Sequence, residues 1–295
     1  MIAQENNNGI VLGAYIPEQS ESIPKHAHNM LKNKLARIIT ENGISDNIFN
    51  SRFIITPNIN VLTKNVTGTA PSMVVLNLDL TLYIGDGIAG NLFSSESISL
   101  KGVGTNENKA YISALKRVNP NNQNIKNFIS KSKQKIVAYY NENCKLMINR
   151  AQNLEAQNNF EEALFVLSSV PESSSCFSSV KGKIKPLFTK TINRDCKLKL
   201  NEASSIWAAN QDIDAANAAG LLLSTIEPSS ACFTEVKALY NKIATRVKDL
   251  NDRDWNYALK ELEVQGDVIQ AARDIGMAYG NNQPESVTYN IRGWY

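Results

Sequence analysis

Histidine is almost missing from this chain: 295 residues hold two, His26 and His28. That shortage leaves histidine-based acid–base and nucleophile–base schemes poorly supplied. A zinc site needs three or four ligands, and two histidines at i and i+2 of a helix diverge by about 200°. Charge of one sign is also lacking. Lys and Arg number 31 against 28 Asp and Glu, a formal net charge of +3. A specific nucleic-acid binder would carry a clear, clustered basic excess. No apolar run approaches the roughly 20 residues that cross a bilayer, so no membrane contact is expected. The opening Met1 to Asn8 lacks a basic segment followed by an apolar one, so no secretory signal is expected either. These absences describe a soluble protein made in a cytoplasm, and kept there unless it leaves inside a larger particle.

Cysteine is scarce too, with four residues and no C-x-x-C pair. Two readings are open: a metal site or intra-repeat disulfides, or small buried residues at tight helix contacts. The second is expected, because free cysteine is among the most buried residue types and a cytoplasmic product begins reduced.

Three local patterns suggest chemistry and fall short of it. Gly102-Val103-Gly104 follows a strand and precedes a helix, but the third glycine of a phosphate-binding loop is replaced by Glu107. A tight turn, with small residues letting the helix pack on the sheet, explains it better. Asp79 and Asp86 lie near one strand end without an evident carboxylate partner. Lys126, Lys131, Lys133 and Lys135 form a basic patch without interleaved aromatics, which reads as a solvated helix face. No catalytic, cofactor-binding or metal-ligating residue is assigned, and the chain is not expected to be an enzyme.

What the sequence does have is two segments of different period. Ile10, Leu12, Ala14 and Ile16 alternate as a first strand. Pro24 opens a helix carrying Ala27, Leu31, Leu35, Ile38 and Ile39, and Gly43 ends it. Phe53, Ile55, Pro57, Ile59 and Val61 alternate, and the proline points to an edge strand or a bulge. Val75 to Ile84 places Leu76, Leu78, Leu80, Leu82 and Ile84 on one face, the pattern of a half-buried antiparallel strand covered by helices. Gly85-Asp86-Gly87 makes the turn, Phe93 to Val103 returns, and Thr105 caps a helix that Pro120 stops. The order is β-α-β-β-β-α over residues 1–119.

From Asn121 the strand signal vanishes, and long helices alternate with short ones over residues 120–283. A first long helix of about 34 residues breaks at Asn158-Asn159. A second runs from Cys176 to about Asn210 with Pro186 inside, and a third from Cys232 to about Gln265. Short helices fill 160–170, 212–226 and 267–279. This region repeats itself. Leu167 to Phe177, ending Ser-Ser-Ser-Cys-Phe, returns 56 positions on as Leu223 to Phe233, ending Ser-Ser-Ala-Cys-Phe. Cys144-Lys145-Leu146 returns 52 positions on as Cys196-Lys197-Leu198. Asn256 and Ala258 echo Asn201 and Ala203 in an eroded third copy. The fold class is therefore α+β: an N-terminal sheet-and-helix sandwich, then a tetratricopeptide-like array of about three helical hairpins.

Residues 284–295 form an extended tail in which Val287, Tyr289 and Ile291 alternate before Trp294-Tyr295. Its aromatic surface is costly to leave in water. It either folds back on its own chain or adds to a neighbour as a strand. Tyr289, Ile291, Trp294 and Tyr295 are the expected assembly contacts.

Leu100 to Gly104 running into Asn108-Lys109-Ala110 and Ala114 resembles a small domain of bacterial envelope lipoproteins, including that of the curli secretion channel. Together with Phe160 to Leu164 and Leu167 to Pro171, the chain resembles proteins of Bacteroides and their crAss-like phages. The resemblance implies a structural virion protein, one ring of the tail or neck. It also implies a cyclic homo-oligomer, twelve-fold where such rings stack below a portal, contacting other tail, neck or portal proteins. The alternative is a soluble adaptor holding a partner protein in a bacterial cell.

Overall fold

The computed structural model describes residues 10–17, 23–42, 51–251, 255–260, 268–280 and 289–295. The chain divides into two compact units: residues 1–145 with 169–177 and 280–295, and residues 146–168 with 178–279.

The first unit contains the sheet. Strand β1 (Leu12–Ala14) leads into helix α1 (Lys25–Glu41), and then β2 (Phe53–Val66), β3 (Val74–Asp86) and β4 (Asn91–Gly104) follow as a meander. The sheet order is β1-β2-β3-β4, with β1 parallel to β2 (Leu12 opposite Phe53) and the other pairs antiparallel. Helix α1 is the crossover that a parallel pair requires. The alternation in β3 settles which face is covered. Leu76, Leu78, Leu80, Leu82 and Ile84 are at most 1% exposed, and Leu31, Leu35 and Ile38 of α1 are fully buried. Asn77, Asp79, Thr81 and Tyr83 stay half-buried on the opposite face. Pro57 lies beyond the reach of β1, on the stretch of β2 whose outer edge carries no described strand.

Helix α2 (Glu107–Lys116) packs on β4 as the small residues allow: a Cβ at Gly102 would strike the Ala110 carbonyl and the Ala114 side chain. Its N-cap is Asn106 rather than Thr105. The Asn106 side chain accepts the Lys109 N–H at 2.9 Å and satisfies a first-turn donor. Gly43, expected to end α1, lies outside the described residues, and Asn42 caps that helix.

The expected first long helix is two: α3 (Gln123–Glu142) and α4 (Cys144–Ala156). Asn143 interrupts them, with its side chain turned back to the Tyr139 carbonyl. Helix α3 belongs to the first unit. Its Tyr139 and Tyr140 rings pack against Phe93 of β4 and Phe53 of β2, which fastens the helix to the sheet.

In the second unit α4 turns at Asn158, which takes the left-handed conformation (φ 61°), into α5 (Phe160–Ser168). Helix α6 (Phe177–Ala209) contains Pro186, and α7 (Ile213–Leu223) begins at an Asp212 cap that accepts the Ala215 N–H. Helix α8 (Phe233–Asn251) is shorter than expected, because residues 255–260 are not helical. There Trp255 and Tyr257 press their rings into the space that Gly220 leaves on α7. Tyr240 donates its hydroxyl to the Tyr257 carbonyl at 2.6 Å. Trp255 and Tyr257 are both partly buried there. Helix α9 (Val268–Gly280) lies close on α5, its Gly276 against the Phe165 backbone. Cys196, Trp207, Ala216, Leu223, Val236 and Ile243 centre this unit's core.

Candidate functional site

The repeat is a clasp built twice. Cys144 and Cys176 form a disulfide with Cα atoms 5.6 Å apart, and Cys196 and Cys232 form one at 6.1 Å. The expectation of four reduced thiols is therefore corrected. Each bond joins the opening of one hairpin to the residue before the next long helix, so it closes α4–α5 in one copy and the end of α6 with α7 in the other. Beside each bond stands an asparagine. The Asn141 side-chain oxygen accepts from the Ser174 hydroxyl (2.7 Å), the Ser175 N–H (2.9 Å) and the Ser175 hydroxyl (3.0 Å). Asn193, 52 positions on, accepts from the Ala231 N–H at 2.7 Å. Even the turn bonds match. Ser174 N–H reaches the Pro171 carbonyl and Ser230 N–H the Glu227 carbonyl; Phe177 and Phe233 then donate to Ser174 and Ser230. The Asn-x-x-Cys spacing, present at 141 and 193, is the sequence signal that could have found this partner.

The tail is held within the first unit. Tyr289 donates its hydroxyl to the Ser51 carbonyl (3.1 Å) and sets its ring edge-on to Tyr15. Asn290 donates its N–H to the Gly87 carbonyl (2.5 Å), and the Trp294 indole N–H reaches the Gly90 carbonyl (3.0 Å). Trp294 is buried. Ile291 is half-buried, whereas Tyr295 is 53% exposed, its hydroxyl 3.0 Å from Thr56 Oγ1 and its ring edge-on to Tyr83. Of the two alternatives for the tail, folding back describes Tyr289 and Trp294; Val287 lies outside the described residues. The receiving surface is the glycine turn. A Cβ on Gly85 would enter the Trp294 ring, one on Gly87 would meet the Tyr289 ring at 2.5 Å, and one on Gly90 would meet the Asn290 side chain at 2.8 Å. Burial raises the Tyr289 and Tyr295 hydroxyl pKa values above the ordinary tyrosine value.

Beneath that turn sits a buried charge cluster. The Asp86 carboxylate accepts from Arg52 Nε (2.6 Å), Tyr140 Oη (3.2 Å) and the N–H groups of Ile88 and Ala89. All its partners are donors, so it is a structural anion rather than half of a carboxylate pair. Burial works against the Arg52 charge, but Tyr140 and Asp86 outweigh it and raise its pKa. Asp79 lies mid-strand on the open face, opposite Asn60 and Ser99.

The other patterns stay apart. His26 is exposed and His28 half-buried on α1, and no metal-holding group occurs among the described residues. Lys126, Lys131 and Lys135 are exposed, while Lys133 donates to the Asn42 carbonyl at the end of α1. The most exposed large apolar side chains among the described residues are Leu62 (61%) and Val66 (65%) on β2, Leu221 (62%) on α7, and Leu146 (67%) and Leu198 (62%) at equivalent repeat positions. Among the described residues no helix is long and apolar enough to cross a membrane.

No protein-family model and no curated protein matches the chain. Among solved structures, part of the chain is similar to a minor lipoprotein from Acinetobacter baumannii, at 17% identity and a TM-score of 0.25, over 44% of this chain and 94% of that one.

Proposed function

We propose that the chain is a structural, non-enzymatic protein of a phage virion that closes into a homo-oligomeric ring of the tail or neck. Leu146 and Leu198 carry this reading. Single exposed leucines are ordinary. The same residue two-thirds exposed at the same place in successive repeats gives the array a recurring apolar contact, suited to a neighbour that is itself repeated. The two disulfides agree with a protein that works outside a reducing cytoplasm, as virion proteins do. Its neighbours would be further copies in a twelve-fold ring, with other tail, neck or portal proteins above and below. Native mass spectrometry tests it. Wild type should give one large closed species, and Leu146→Glu with Leu198→Glu should reduce it to monomers with an unchanged melting temperature.

A second reading, a soluble adaptor for a partner protein in a bacterial cell, is favoured by one observation. A cleft of about 250 Å3 lies between α4 and α6, lined by Ala151, Gln152, Glu155, Gly182, Lys183 and Pro186 among others. A wild-type monomer or dimer at all concentrations would decide for the adaptor.

A further inference from the structure

The cleft between α4 and α6 has a counterpart in the second copy of the repeat, and there it is filled. In the first copy about 250 Å3 stands open over Ala151, Leu167 and Leu187. The repeat offset is 52 positions for α4, and 56 for α5 and α6, where Val180-Lys181 returns as Val236-Lys237. Ala151 thus corresponds to Ala203, Leu167 to Leu223 and Leu187 to Ile243. Those three are buried in one core with Trp207, and Leu239, which stands for Lys183, packs against it. Trp207 stands for Glu155, whose carboxylate instead accepts from Lys190 Nζ at 2.6 Å. The second copy fills with its own indole the place that the first leaves open.

The polar groups differ in the complementary sense. Pro186 has no N–H, so the Gly182 carbonyl on the cleft wall lacks the donor that a helix supplies four residues on. The space beside it is open: a Cβ on Gly182 would meet nothing within 4 Å. In the second copy Lys242 replaces Pro186 inside α8, and the buried Trp207 Nε1 has no acceptor among the described residues. We infer that the cleft binds an indole ring, the tryptophan side chain of a partner polypeptide. The ring lies over Ala151, Leu167 and Leu187, and its N–H donates to the Gly182 carbonyl. A cavity of about 150 Å3 holds benzene, so about 250 Å3 has room for two fused rings. Gly182 and Pro186 are exposed, so the partner's main chain stays outside while the ring enters. The kind of partner rests on the adaptor reading; the place of the ring rests on the repeat.

The probe is N-acetyl-tryptophanamide, followed through the backbone amide signals of the isotope-labelled full-length chain. Saturable shifts should centre on Gly182, Lys183 and Leu187. The naphthyl analogue fills the same space without the N–H and should bind about fivefold more weakly, the worth of one hydrogen bond. Pro186→Ala returns a helix donor to Gly182 and should erase that difference; removing a proline from a helix interior does not endanger folding. Glu155→Trp supplies the ring from within, as Trp207 does in the second copy. It should raise the melting temperature and weaken probe binding more than about tenfold, because a tethered ring competes. No saturable binding to wild type, or unchanged binding to Glu155→Trp, overturns the site. A naphthyl analogue that binds wild type as well as the probe does overturns the Gly182 contact. Free tryptophan binding more than about tenfold more tightly than the capped probe overturns the polypeptide partner. A closed wild-type ring by native mass spectrometry ends the adaptor reading, and the same probe titration on that ring still decides the site.

Discussion

Tyr140 of α3 donates its hydroxyl to the Asp86 carboxylate at the end of β3, at 3.2 Å, and Arg52 Nε meets the same carboxylate oxygen at 2.6 Å. Helix α3, the end of β3 and the residue just before β2 are joined at one anion that is 1% exposed. Removing one partner of such a pair leaves a buried charge uncompensated. Asp86→Ala should cost about 3–5 kcal/mol of folding free energy, read as a lower urea midpoint. Tyr140→Phe leaves the other donors in place and should cost only about 1 kcal/mol. Equal losses in the two variants would show that the cluster does not centre on Asp86.

Alkaline pH should weaken the fold through the same hydroxyl. Burial raises the pKa of Tyr140 well above its ordinary value, with Arg52 opposing and Asp86 adding to the rise; burial also raises Tyr111 and Tyr289. A raised folded pKa means that folding favours the protonated form. The contribution is complete below the unfolded value of about 10 and is lost as pH rises beyond it. Urea midpoints should stay level from neutral pH to about 9 and fall above 10, less steeply in Tyr140→Phe. Parallel curves for variant and wild type would rule out Tyr140 as a source.

Opening either disulfide releases a loop, Cys144 and Cys176 being 32 positions apart in the sequence and Cys196 and Cys232 36 positions apart. The chain-entropy relation gives about 3–4 kcal/mol for each. Reductant should lower the melting temperature of wild type and have no effect on a chain with all four cysteines changed to serine. Wild type that melts alike with and without reductant would count against the pairing.

The asparagines of the clasp should not be equivalent. Asn141 accepts three hydrogen bonds and Asn193 one among the contacts described above. Asn141→Ala should cost about 2 kcal/mol and Asn193→Ala about 1 kcal/mol, compared by urea denaturation of the two variants. The reverse order would mean that the turn before α8 depends on its asparagine more than the geometry implies.

Much of the α+β architecture was legible in the residues because periodicity reports burial directly. The leucines of β3 and the stripe of α1 name their buried faces without outside information. The helix break at Asn143 and the early end of α8 were not legible. Both depend on side chains that pack across the fold: Tyr139 and Tyr140 on the sheet, Trp255 and Tyr257 against Gly220. The candidate site was half legible. Aromatic residues in the tail announce a buried contact, but nothing local says that Gly85, Gly87 and Gly90 receive it, because a glycine turn looks the same with or without an occupant. The disulfides were misjudged for another reason. Redox state was inferred from the place of synthesis, whereas the pairing follows from which repeat positions come within reach of one another.

The two clasps also bear on how the array behaves under load. Cys176 precedes α6 and Cys196 lies within it, so successive staples are twenty positions apart along the chain. Tension applied along the chain passes through each bond and bypasses the hairpin it encloses. Each closed loop withholds more than about 100 Å of contour length from any stretching. A wall made of such chains would stay short under a pull that draws out its uncrosslinked segments.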